Sequence, residues 1–169
     1  SDIDGEASSD YSGTAVSLSE DGYVVAIGAA YNDGTANASG HARIYQYSGG
    51  SWSQLGSDID GEVASDYSGS SVSLSDDGSI VAIGAPYNDG TADASGHVKL
   101  YQWDGSSWNQ LGSDIDGEAA NDQSGWSVSL SDDGSVVAIG AKGNDANGSE
   151  SGHVRVYQYS GGSWSQLGS

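Results

Sequence analysis

The hexapeptide Ser-Asp-Ile-Asp-Gly-Glu begins at Ser1 and recurs at Ser57 and Ser113, so the chain is three units of 56 residues, with Ser169 opening a fourth. Laid over one another, the units 1–56, 57–112 and 113–168 agree at 33 positions. A period of this length marks an array in which one supersecondary unit is copied and stacked on itself, which limits the fold more than composition can. Three near-identical neighbourhoods leave little room for the single asymmetric site of an ordinary catalyst. The chain is therefore expected not to be an enzyme.

Each unit reads as four strands. In the second, residues 71–75 (Ser-Val-Ser-Leu-Ser) alternate strictly and put Val72 and Leu74 on one face. Asp76-Asp77-Gly78 then closes a hairpin, since Gly accepts the positive φ of a tight turn. Residues 79–85 are nearly all small or branched and apolar, the pattern of a strand covered on both faces. A loop over 86–96, rich in Asn, Asp and Gly, leads to a third strand over 97–103, a turn at 104–106 and a fourth strand over 107–111. The segment 112–125 returns the chain to the next unit. Four short antiparallel strands repeated in this way predict an all-β fold, a tandem array of β-propeller-like blades.

The motifs Asp66-Tyr67-Ser68-Gly69, Ile83-Gly84-Ala85-Pro86-Tyr87 and Gly96-His97-Val98 resemble the FG-GAP repeat of integrin-α-like β-propellers, and the Ser-Asp-Asp-Gly hairpin is loosely similar to a WD-repeat blade. The likeness runs from about the tenth to the forty-seventh residue of each unit. It departs from the family at Gln123-Ser124, at Ala30 and at Lys142, where the other motifs have Tyr-Ser or Pro. The family's calcium loop between the first two strands is cut down here to Ser-Asp-Asp-Gly, so the resemblance carries no calcium site to that place.

Four Lys and Arg against 24 Asp and Glu give a net charge of −20, shared as −6, −8 and −6 among the units. Phosphate binding draws on clustered cations, so nucleic acid is not an expected partner. No run approaches the roughly 18–20 apolar residues of a membrane span, so no membrane insertion is expected. With no Cys, disulfides and thiolate metal sites are ruled out. The chain does not open on Met, which suggests processing or a longer parent.

The densest acidic groups are Asp2, Asp4, Glu6 and Asp10, with Asp58, Asp60, Glu62 and Asp66, and Asp114, Asp116, Glu118 and Asp122 at the matching positions. Such a turn can aim carboxylates and a carbonyl at one hard cation, so Ca²⁺ is the candidate ligand, although short acidic loops also serve simply as solvated turns. His41, His97 and His153 recur after Ser-Gly without a nucleophile-elbow sequence, which points to a structural role. Trp52, Trp108 and Trp164 fall on the fourth strands, where a ring could stack on a sugar or pack blade against blade. Asn37 and Asn147 stand in Asn-x-Ser sequons and are candidate glycosylation sites.

Because a blade has two apolar faces and closed propellers use four to eight blades, three units imply partners: further copies of the repeat in the same chain, a ring or a filament. The function expected is a structural or adhesive repeat module, extracellular or at the cell surface. The alternative is a multivalent glycan-binding propeller.

Overall fold

The computed structural model describes residues 2–168; Ser1 and Ser169, the proposed start of a fourth unit, lie outside them. Fourteen strands and no helix are found among the described residues. The first sheet holds β1 (Ala15–Leu18), β2 (Val24–Ala29), β3 (His41–Ser48), β4 (Ser51–Gln54) and β5 (Ile59–Asp60). The second holds β6 (Ser71–Leu74), β7 (Ile80–Ala85), β8 (His97–Trp103), β9 (Trp108–Gln110) and β10 (Ile115–Asp116). The third holds β11 (Ser124–Leu130), β12 (Val136–Ala141), β13 (His153–Ser160) and β14 (Ser163–Leu167).

All pairings within the sheets are antiparallel, and the four-strand meander expected of each unit is present. The fifth strand is new. Ile59–Asp60 pairs with Ala42 and His41, and Ile115–Asp116 with Val98 and His97, so the return segment joins the sheet behind it before starting the sheet ahead.

The core lies between sheets. Val24, Ala26, Ala42 and Ile44 of the first sheet meet Ile59 and then Val72, Leu74, Val81 and Ile83 of the second. The same positions recur as Ala82, Val98, Leu100 and Ile115 against Val137 and Ile139, with Val128 and Leu130 alongside. Alternation along each strand therefore sends one set of side chains to the preceding blade and the other to the following one. The second strand of one blade comes so close to the chain entering the next that a Cβ on Gly28 or Gly84 would collide with the backbone carbonyl of Gly69 or Gly125.

Candidate assembly interface and aromatic row

Each joint between blades is pinned at its outer rim by a tryptophan. Trp108 Nε1 donates to the Leu55 carbonyl at 2.9 Å, and Trp164 Nε1 to the Leu111 carbonyl at 2.8 Å. The rings also lie against the joint cores. Their indole N–H groups are thus spent on packing. Trp52 has no such bond among the described residues, and its ring leans on Tyr47 at 5.3 Å.

Nearer the axis, Leu74 N donates to Ser17 Oγ and Leu130 N to Ser73 Oγ, both at 3.0 Å. Backbone bonds run from Glu20 N to the Asp76 carbonyl and from Asp76 N to the Asp132 carbonyl. The hydroxyl face of the alternating Ser-Val-Ser-Leu strands therefore has a use that the pattern alone did not show.

The twelve acidic candidates divide by depth. Asp10, Asp66 and Asp122 are buried. Each accepts from a backbone N–H three residues back (Ala7, Val63, Ala119) and from the amide of Asn32, Asn88 or Asn144, all within 3.1 Å. They clasp the return segment to the long loop. Glu6, Glu62 and Glu118 pair with Arg43, Lys99 and Arg155. Asp4 lends its carbonyl to Arg43, and the Asp2 side chain is exposed. Asp58 and Asp114 accept from Gln54 and Gln110. Burial and then the neighbouring Asp58 charge raise the Asp60 carboxyl above its ordinary range, partly offset by His41.

Among the described residues, two clusters bring titratable groups together: Glu6, His41 and Asp58, and His97, Asp114 and Asp116, each set with its ligand atoms within 4.8 Å of one another. Two carboxylates and one ring nitrogen fall short of the six to eight oxygens Ca²⁺ takes. The Ser-Asp-Asp-Gly turn, where the family's calcium loop would lie, does not fit the ion either. Its Asp77 carboxylate already accepts from Ser75 Oγ, Ser79 N and Ser79 Oγ. The matching Asp133 is held down at about 2, first by the Ser135 backbone N–H and then by the Ser135 and Ser131 hydroxyls. Asn37 and Asn147 are both exposed. The sequon hydroxyl of Ser39 is fully buried, whereas Ser149 is exposed.

Tyr11, Tyr31, Tyr67, Tyr87 and Trp126 form a row of mostly edge-to-face rings across all three blades, at successive centroid distances of 5.1, 5.0, 5.2 and 6.4 Å. Lys142 Nζ caps the row 3.0 Å from the Trp126 ring centre. Tyr31, Tyr67, Tyr87 and Trp126 line an open cavity of about 640 Å³, shared with Ser65, Ser70, Asp89 and Asp93. The signal available in the sequence was the presence of Tyr at the eleventh and thirty-first places of two units.

These blades define the β-propeller class of fold. The family model of the FG-GAP repeat matches residues 108–157, from β9 of the second sheet into β13 of the third, and bears out the resemblance. No curated protein matches the chain. Among solved structures it is similar to one from Bacteroides uniformis named as a 6-phosphogluconolactonase, at 14% identity and a TM-score of 0.60, over 91% of this chain and 39% of that one. It is also similar to Saccharomyces cerevisiae Sqt1, at 20% identity and TM-score 0.57, over 92% and 34%. The periplasmic gluconolactonase PpgL of Pseudomonas aeruginosa matches at 18% identity and TM-score 0.56, over 87% and 39%. The chain thus spans about two-fifths of these proteins or less, and identities this low show the fold alone.

The expectation that a repeat array excludes an enzyme is corrected by these likenesses, because lactonases are named among proteins with this fold. The physical reason lies in this chain too. Its units differ where the loops meet the aromatic row: Tyr11, Tyr67 and Gln123; Thr14, Ser70 and Trp126; Tyr31, Tyr87 and Gly143. Near-identical blades can therefore carry an asymmetric surface.

Proposed function

We propose that the chain is a structural repeat module that assembles with further units of its own kind through blade-to-blade joints, in an adhesive array outside the cell or at its surface. One observation carries this reading: the outer faces of the first and third blades expose the residues that the internal joints bury. Val16 and Leu18 are 65% and 59% exposed, against 8% and 7% for Val72 and Leu74 at the same positions of the second blade. Apolar area of this kind is stabilised by about 25 cal/mol per Å² when covered, so each outer face favours another blade. Surface placement is supported by the FG-GAP resemblance, the acidic charge and the exposed sequon asparagines. Sedimentation of the chain over a concentration series tests the reading. Self-association that is lost in Val16→Asp/Leu18→Asp supports it, and a monomer at every concentration refutes it.

A second reading, multivalent glycan binding, is favoured by the aromatic row rather than by Trp108 and Trp164, whose N–H groups serve the joints. Exposed rings beside Ser65, Ser70, Asp89 and Asp93 offer stacking faces and hydroxyl partners together. Titration of soluble glycans against Trp fluorescence, with Trp126→Phe as control, decides it. The absence of any saturable change sets this reading aside.

A further inference from the structure

We propose that two copies of this chain join head to tail by strand donation, the Ile3–Asp4 segment of one pairing antiparallel with His153–Val154 of the other as the fifth strand of its third sheet. This rests on the blade-to-blade reading and specifies the atoms of the joint.

The chain shows the joint twice. Ile59–Asp60 completes the first sheet on Ala42 and His41, and Ile115–Asp116 completes the second on Val98 and His97. Among the described residues the third sheet has only its four meander strands, and the matching positions on it are His153 and Val154. Val154 is 69% exposed, whereas Val98, covered by a donated strand and the next blade, is 0% exposed. The same hexapeptide that supplies both internal donors also contains Ile3 and Asp4, which belong to no strand here.

The donor is already held in the required pose. In the internal joints, Glu62 and Glu118 anchor the return segment to Lys99 and Arg155 of the blade it introduces, while its Ile-Asp pair reaches back to the blade behind. Glu6 pairs with Arg43 Nη1 at 3.3 Å, and Arg43 Nη2 donates to the Asp4 carbonyl at 3.0 Å, which fixes the first segment to the first blade in the same way. The rim is complementary as well. Trp52 corresponds to Trp108 and Trp164, and Leu167 to the acceptors Leu55 and Leu111. Trp52 of one copy thus meets Leu167 of the other. The interface is heterologous, so two copies close a ring of six blades or successive copies propagate.

Because the chain has no Cys, the register can be trapped directly. Ile115 and Val98 are direct Cα partners, and directly opposed antiparallel residues lie about 4.5–5.5 Å apart, within disulfide reach. Ile3→Cys and Val154→Cys are prepared separately with distinguishable tags, mixed and mildly oxidised, with Ile3→Cys plus Ser160→Cys as the off-register control. A reducible species of twice the chain mass carrying both tags, formed with Val154→Cys and not with Ser160→Cys, is the expected result. Association in sedimentation without that crosslink overturns strand donation and leaves blade packing in place. A monomer at every concentration overturns both.

Discussion

The Trp108 indole reaches across 53 residues of sequence to donate to the Leu55 carbonyl, tying the fourth strand of the second blade to the chain just past the fourth strand of the first. Trp108→Phe keeps most of the ring and removes the donor, and is expected to cost about 1 kcal/mol in chemical denaturation. Trp52→Phe, whose indole makes no such bond among the described residues, should stay within about 0.5 kcal/mol of the parent. Equal losses at the two sites would remove the joint bond from the account.

The strands of the second unit were legible because each kept a two-residue alternation or an unbroken apolar run between Gly- and Asp-rich turns. The apolar patterns span 79–85 and 97–103, and the strands run Ile80–Ala85 and His97–Trp103. The fifth strands were not legible, since two residues, Ile59 and Asp60, carry no periodicity and sit beside glycine. Asp10, Asp66 and Asp122 read as solvated or cation-binding, because nothing local tells that an asparagine 22 residues ahead will cover them. The aromatic row was hidden for a related reason. Tyr31 and Tyr67 are separated by a whole third strand and hairpin in sequence and become neighbours only when blades stack.

Asp66 is expected to matter for stability rather than for cation binding. Its carboxylate satisfies both Val63 N and Asn88 Nδ2 in a buried setting. Asp66→Ala would leave two donors unpaired, and the loss is expected to be roughly 2–4 kcal/mol. Melting Asp66→Ala and the parent with and without chelator separates the roles. A chelator-sensitive parent that becomes insensitive in the variant would reverse this assignment.

His97 couples the joint to pH. Burial lowers its pKa below the ordinary 6.5, with the Lys99 charge adding to the effect, while Asp114, Glu62 and Asp116 oppose it. The folded protein therefore favours neutral His97 more than the unfolded chain does. That contribution to stability is complete above pH 6.5 and is lost as pH falls from there through the folded value. Denaturation midpoints should drop between pH 7 and 5, and the drop should be shallower in His97→Gln. An NMR titration placing the His97 imidazole above 6.5 would contradict the sign.

Gly84 and Gly140 occupy the same place in successive blades and face the equivalent serine hydroxyl, of Ser71 or Ser127, but only Gly84 also faces the backbone of a neighbouring blade. A Cβ at Gly84 would strike the Gly125 carbonyl oxygen, a backbone atom of the next blade, whereas at Gly140 the close neighbour is the Ser127 hydroxyl, which can rotate away. Gly84→Ala is expected to force β7 and β11 apart and cost about 2–3 kcal/mol, the upper part of the overpacking range. Gly140→Ala should cost less than about 1 kcal/mol in the isolated chain, because no backbone blocks it. If another blade covers the third sheet in the assembled state, Gly140 comes to resemble Gly84. Gly140→Ala should then weaken self-association in sedimentation while leaving the dilute monomer's unfolding nearly unchanged. The two measurements together distinguish a glycine required by the blade itself from one required by the joint.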